Sequence, residues 1–232
     1  MKSPSARQIF AQATKLYNAA RKPQACGPGF SLLKQAADLG LADAHELLGW
    51  VYLLGLGTPP NRRLSFKHYR IAADPRRPDA EYHVGISYDK GIGVRKDRSA
   101  AIRWMRKAAR HGSTCALHWL GWHYLSGRNP RYRKKGFEYL LKAANREEIQ
   151  SQHGVGICYE RGAGVPTDAK EACKWYLRAA KRGYPYAADA LARCYETGFG
   201  VRIDKRKSAF WRKRAQHQWA RARAGWSPWA MA

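Results

Sequence analysis

The sequence predicts an all-α solenoid of stacked helix–turn–helix repeats, and three observations carry that prediction. Glycines recur at Gly49, Gly85, Gly121 and Gly156, in steps of 36, 36 and 35 residues. Tyrosines follow three residues later, at Tyr52, Tyr88, Tyr124 and Tyr159 and again at Tyr195, with Gly55, Gly91, Gly127, Gly162 and Gly198 three residues further on. Ala-Ala pairs close the units: Ala36-Ala37, Ala72-Ala73, Ala108-Ala109, Ala143-Ala144 and Ala179-Ala180. Self-similarity at this period marks units that cannot bury their apolar faces alone and do so by stacking. With 45% hydrophobic and 12% aromatic residues, the 232-residue chain can fill a continuous core.

The elements follow in chain order. Ile9, Ala13, Leu16, Tyr17 and Ala20 share one face of a first helix. Residues 1–41 read as a degenerate N-terminal capping repeat, as the end of an array requires. Five repeats follow, at about 42–78, 79–114, 115–149, 150–185 and 186–217, and residues 218–232 form a basic, tryptophan-rich cap and tail. The fourth repeat shows the grammar. Its first helix runs near Ser151 to Arg161 and breaks at Gly162-Ala163-Gly164, because glycine tolerates the positive φ that ends helices. Asp168 stands where its side chain caps the next helix, which carries Ala172, Trp175, Tyr176, Ala179 and Ala180 at spacings of three and four. Gly183 stops it.

Elsewhere Asn61, Asp97 and Asp204 take the capping position, and His68, Trp104, Tyr139 and Trp211 the place of Trp175. The glycines at Gly49, Gly85, Gly121 and Gly156 fall inside helices, where each costs roughly 1 kcal/mol against alanine. Their fixed place predicts a close helix–helix approach that offsets the cost. The third repeat departs from the pattern: Gly127-Arg128-Asn129-Pro130 replaces the double-glycine loop and Arg133 the capping aspartate, so its turn is expected to differ.

This pattern resembles the Sel-one-like repeat, a relative of the tetratricopeptide repeat, over about residues 31–217. The second repeat matches through Ala80, Gly85, Tyr88, Gly91, Gly93, Val94, Asp97, Ala100, Trp104, Ala108, Ala109 and Gly112. The fourth matches through Gly156, Tyr159, Gly162, Gly164, Val165, Asp168, Lys170, Ala172, Trp175, Tyr176, Ala179, Ala180 and Gly183. The fifth matches through Ala187, Leu191, Tyr195, Gly198, Gly200, Val201, Asp204 and Trp211. The resemblance implies a right-handed α/α superhelix of about five such repeats with capping helices, whose first helices line an inner groove. It also implies an adaptor, scaffold or regulator.

Two surfaces are candidates for binding. A residue two positions from a buried one lies ~200° around a helix. That sets Trp50, Ile86, Trp122 and Ile157 opposite the core-facing row, with Arg193 next in line. Flanking columns read Glu46, Tyr82, His118, His153, Asp189 and Leu53, Asp89, Leu125, Glu160, Glu196. The expected partner-binding groove is therefore Glu46, Trp50, Tyr82, Ile86, Asp89, His118, Trp122, His153, Ile157 and Glu160. Its acids favour a basic stretch in a docked segment. The second surface is an outer basic strip of Arg103, Lys107, Lys142, Arg178 and Arg214. It could track a phosphate backbone, or be a solvated face.

The formal net charge of +26 favours anionic surfaces or acidic proteins as partners and disfavours self-association. From Lys205 to Arg223 basic residues and tryptophans interleave without an acid, which suits nucleic-acid stacking or a capping helix with Trp211 and Trp219 as packing residues. No run approaches the ~18 apolar residues of a membrane span. Cys26, Cys115, Cys158, Cys173 and Cys194 form no C-x-x-C pair and read as reduced, mostly packed thiols of a cytoplasmic protein. His83, His118, His123 and His153 stand on different helices without a supporting carboxylate motif and are read as polar lining, not a metal site. Ser31-Leu32-Leu33-Lys34 fits an S-x-x-K string but lacks its companion motifs. No catalytic arrangement, cofactor or metal is expected. The expected function is non-enzymatic protein binding in the groove, with an inhibitor or immunity-type protein for an acidic partner as a narrower version. The alternative is nucleic-acid binding through the basic strip and tail.

Overall fold

The computed structural model describes residues 4–20, 26–127 and 129–224. Arg128 of the third repeat's turn, Trp226, Trp229 and the remainder of the 225–232 tail lie outside the described residues. Among the described residues there are twelve helices and no strand. The chain divides into two compact units, Met1–Ser113 and Thr114–Ala232.

The first unit holds α1 (Ala6–Ala19), α2 (Gly27–Asp38), α3 (Ala42–Leu54), α4 (Arg62–Ala72), α5 (Pro78–Lys90) and α6 (Arg98–Arg110). The second holds α7 (Thr114–Leu125), α8 (Pro130–Asn145), α9 (Ile149–Arg161), α10 (Ala169–Lys181), α11 (Pro185–Thr197) and α12 (Lys205–Ala224). In each unit successive helices pair as three hairpins, and each hairpin packs on the next through its second helix.

Why the helices start and stop where they do follows from the sequence. Asn61, Asp97 and Asp168 accept a hydrogen bond from the backbone N–H three residues on, at 3.0, 2.9 and 3.0 Å, and Asp204 does so from Lys207 at 2.9 Å. Each cap is worth about 1 kcal/mol. The N–H of each capping residue also donates to the carbonyl of its repeat's tyrosine, Tyr52, Tyr88, Tyr159 or Tyr195, closing the turn at 2.7–3.0 Å. Gly55, Gly91, Gly162 and Gly198 end the first helices in the left-handed region. In the third repeat Asn129 caps α8 through the N–H of Arg131. That cap lies one turn before Arg133, so α8 is a turn longer than its counterparts, 16 residues against 11 to 13 for α4, α6 and α10.

The mid-helix glycines sit at hairpin contacts, as their recurrence predicts. A Cβ at Gly49 would stand 2.7 Å from the Tyr69 ring, one at Gly121 2.6 Å from Leu140, and one at Gly156 2.5 Å from Tyr176. At Gly85 the facing residue is Met105, at 3.0 Å. Tyr69, Met105, Leu140 and Tyr176 are at most 2% exposed. Each contributes about 1.5–3 kcal/mol of burial that a side chain in place of the glycine would disrupt.

A second set of glycines joins one repeat to the one before it. Gly57, Gly93, Gly164 and Gly200 have positive φ, and a Cβ there would fall on backbone 31 residues earlier: Cys26, Arg62, Arg133 and Ala169. At Gly93, Gly164 and Gly200 the carbonyl oxygen would be only 2.0–2.2 Å away. The turn of each of these repeats is therefore pressed against the start of the preceding second helix, closer than any side chain permits.

Aromatic rings fill the same seams. Phe30 meets Tyr52, Phe66 meets Tyr88 and Phe137 meets Tyr159, each edge to face at 5.4–5.6 Å between centroids. Such pairs add about 0.5–1.5 kcal/mol beyond their buried area.

Candidate functional site

The expected groove residues stand on the first helices of the hairpins and are described unit by unit. In the first unit Trp50 on α3 and Tyr82 and Ile86 on α5 are half-buried. Glu46 is met by an internal cation: Arg77, which precedes α5, places Nε 3.9 Å from Glu46 and Nη2 2.7 Å from Asp43. Burial nonetheless pushes the Glu46 carboxyl up from its ordinary pKa, with Asp79 adding to it. Asp89 departs from the expectation of an open-face acid. It is 8% exposed, because four residues after Gly85 it returns to the packed side of α5. Its carboxylate has Lys90 Nζ at 3.5 Å.

In the second unit Trp122 on α7 is 38% exposed, and its ring lies across Gly154 on α9, where a Cβ would be 3.2 Å from Cζ2. Ile157 is half-buried against the core of α10 and α11. His153 lies among Tyr176, Tyr184 and Tyr186, with centroids 5.3–6.3 Å away. Burial lowers its pKa to about 4, so it is neutral near pH 7. Leu125 is buried for the same reason as Asp89. Glu160 accepts a hydrogen bond from the Tyr176 hydroxyl. A pocket of about 200 Å³ opens beside it, lined also by Ala190, Arg193, Cys194, Thr197 and Phe199.

His118 reveals a constellation that sequence reading missed. Its Nδ1 lies 2.8 Å from Ser151 Oγ and 3.4 Å from Glu148 Oε2. Burial alone would raise the Glu148 carboxyl, but hydrogen bonds from His118 and Ser151 hold it down to about 2. The three residue types are those of a hydrolytic triad, yet one nitrogen serves both partners and Ser151 is fully buried. A relay needs the two ring nitrogens to act separately on an accessible hydroxyl. Glu148 instead caps α9, accepting from the N–H groups of Gln150 and Ser151. The spacing 118, 148 and 151 carries no sequence signal for this contact, because α7 must pack on the start of α9 before it forms.

The basic strip is also partly engaged. Lys107 Nζ lies 3.1 Å from Glu81, which is fully buried and also contacts His111 Nδ1 at 2.7 Å. Lys107 stands over Trp104, Arg178 over Trp175 and Arg214 over Trp211, at 4.7–5.4 Å from the ring centroids. Arg103 and Lys142 are exposed. The one sequence hint of Glu81 was its column: His45, Leu117, Gln152 and Ala188 stand at the matching positions, most of them buried.

His83 stacks on Tyr69 and His123 on Trp119. Cys26, Cys158, Cys173 and Cys194 are buried and Cys115 is exposed. Trp211 packs in the last core, and Trp219 meets Tyr186 edge to face at 4.5 Å. Among the described residues no helix is long and apolar enough to cross a membrane.

Comparison with known proteins gives this arrangement its relatives. A Sel1 repeat protein from Oxalobacter formigenes superposes with a TM-score of 0.83 at 28% identity, covering 92% of this chain and 88% of that one. Protein c5321, a protective antigen present in uropathogenic Escherichia coli strains and displaying an SLR fold, superposes at 0.81 with 26% identity, covering 96% of this chain and 50% of its own. The DAP3-binding cell death enhancer 1 of Rattus norvegicus is 35% identical over 83 residues, 36% of this chain. The match spans only 16% of that relative's length. The Sel1 repeat profile matches residues 29–41, 42–74, 78–113, 116–147, 149–184 and 185–215. With most of its length accounted for in this way, the chain belongs to the Sel1 repeat family.

Proposed function

We propose that the chain is a non-catalytic protein-interaction module, and that the first-helix face of its second unit receives a segment of a partner protein. The observation that carries this reading is Trp122. It is 38% exposed, yet its ring is set against Gly154, where a Cβ would stand 3.2 Å from its Cζ2. A half-exposed tryptophan held against the neighbouring helix, on a face whose next repeat carries half-buried Ile157, has the character of an interface hot spot. In the first unit Trp50 and Ile86 offer the same chemistry. The misassembled Ser151–His118–Glu148 contact supports a module without catalysis, and the buried thiols of Cys158, Cys173 and Cys194 suit the reducing cytoplasm.

The test is affinity capture with the intact chain, with and without nuclease, followed by titration of the captured partner. Trp50→Ala and Trp122→Ala together are expected to weaken a nuclease-resistant protein partner at least tenfold, since hot-spot tryptophans carry about 2 kcal/mol or more. Unchanged affinity in the double variant would remove the reading. Recovery of nucleic acid, with affinity falling by orders of magnitude between low and moderate salt, would transfer the function to the exposed cations such as Arg103 and Lys142. An acidic captured partner would fit the narrower, neutralising version.

A further inference from the structure

Building on the docking reading above, we propose that the pocket between α9 and α11 receives one arginine side chain of the partner segment, with Glu160 as its counter-charge. At about 200 Å³ the pocket is smaller than the ~300–1,000 Å³ of small-molecule sites and has room for a single long side chain. One wall is the stripe Ala190, Arg193, Cys194 and Thr197, spaced three and four apart on α11, continued by Phe199. Opposite it, the last turn of α9 presents Glu160.

The charges select the occupant. One oxygen of Glu160, Oε2, is held by the hydroxyl of Tyr176, a side chain only 1% exposed and so fixed in place. The other oxygen has no donor among the described residues. Arg193 is drawn toward Asp189, one turn earlier on α11, with Nη1 3.7 Å from its carboxylate. Glu160, Arg193 and the adjoining Asp189 together leave one negative charge at the pocket, in a chain whose net charge is +26. Thr197 Oγ1 donates to the Arg193 carbonyl at 3.0 Å and keeps its own lone pairs for an incoming donor. A guanidinium presents several N–H groups in a fixed fork and can serve two separate acceptors, where an ammonium acts as a point charge. Ala190, Cys194 and Phe199 would cover its methylene stem.

The preceding seam of the same unit shows that packing does not demand this charge. Where the α9–α11 seam carries Glu160 and Arg193, the α7–α9 seam carries Leu125 and Ile157.

The test is an NMR titration of the full chain with two capped tripeptides, glycine–arginine–glycine and its citrulline counterpart, which keeps the shape and loses the charge. The arginine peptide is expected to shift the amides of Glu160, Arg193, Thr197 and Phe199 saturably. The citrulline peptide should bind about tenfold more weakly or worse, the value of one charge-assisted hydrogen bond. Glu160→Gln should bring the arginine peptide down to the citrulline level, with its amide spectrum otherwise unchanged as the check on folding. Equal responses to both peptides, or none at the solubility limit, would overturn the assignment. So would preferential binding of a glycine–glutamate–glycine peptide, which would make Arg193 the recognising group. A captured partner that is lost in the Trp50→Ala, Trp122→Ala variant but indifferent to Glu160→Gln would leave the docking face standing and the arginine pocket refuted.

Discussion

Replacing Gly93 by alanine should cost far more than replacing Gly91, although the two share one turn and nearly one backbone conformation. Their φ angles are 70° and 73°. The penalty for putting a Cβ on a left-handed residue, about 1–2 kcal/mol, is therefore common to both and cancels in the comparison. What differs is the surroundings. At Gly91 the nearest atoms to an added Cβ lie at 3.5–3.6 Å, ordinary van der Waals contact. At Gly93 the Cβ would meet the Arg62 carbonyl oxygen at 2.0 Å, its carbon at 2.5 Å and the Arg63 Cα at 3.0 Å, all of them backbone that no rotamer change can move. The first turn of α4 must retreat, and overpacking of this kind costs about 1–3 kcal/mol, occasionally more. Gly91→Ala should thus lose about 1–2 kcal/mol and Gly93→Ala about 2–5 kcal/mol. Urea unfolding followed by far-UV circular dichroism reads the difference directly, with the m-value reporting any loss of coupling between repeats. Equal stability of the two variants would mean that the repeats do not need this contact, and the account of the seam would be wrong.

Two further outcomes follow from the same structure. His68 has its pKa lowered to about 4, first by burial and then by His45, whose Nδ1 is 2.9 Å from its own; His153 is likewise lowered by burial to about 4. The unfolded chain binds these protons near pH 6.5 and the folded chain only near pH 4. Stability is therefore complete above pH 6.5 and is lost as pH falls toward 4, by about 1–2 kcal/mol per histidine after allowing for their partial exposure. His153→Phe should flatten the pH dependence of urea unfolding between pH 7 and 5, a window above the ordinary carboxylate range, and an unaltered slope would exclude His153 as its source. The second outcome is a reversal of sign between equivalent tyrosines. Tyr176 donates to Glu160, sixteen residues before it, whereas Tyr69 has Leu53 at that spacing and its buried hydroxyl has no hydrogen-bond partner among the described residues. Tyr176→Phe should destabilise by about 1–2 kcal/mol and Tyr69→Phe should be neutral or stabilising by up to about 1 kcal/mol, as measured by denaturant midpoints.

Most of the fold was legible because it is written in residues that act locally or recur. A glycine at a fixed place inside each first helix announces the ring it touches, and an aspartate after the double-glycine turn announces the next helix. The third turn was legible as different but not in detail. Arg133 stands where the other repeats have their cap, and only folding shows Asn129 doing that work a turn earlier. The candidate site was less legible. Residues two positions from a buried row can be assigned to the open face, as with Trp122, but the column four positions after the mid-helix glycines lies at the boundary, so that Asp89 and Leu125 are buried while Leu53 and Glu160 are half-buried. Side-chain contacts made only once two helices pair, such as Lys107 and His111 at the end of α6 on buried Glu81 of α5, leave little beyond a buried column in the spacing.

The seating of each double-glycine turn gives the array a direction. The turns at Gly57, Gly93, Gly164 and Gly200 all rest on backbone that precedes them, 31 residues toward the N-terminus. A ribosome delivers the seat before it delivers the turn, so within each unit a repeat emerges onto a surface already made. Trimming from the C-terminal side leaves every remaining turn its support, whereas removing a repeat from the N-terminal side strands the turn of the next. Loss of the last repeat of a unit should accordingly be borne better than loss of its first.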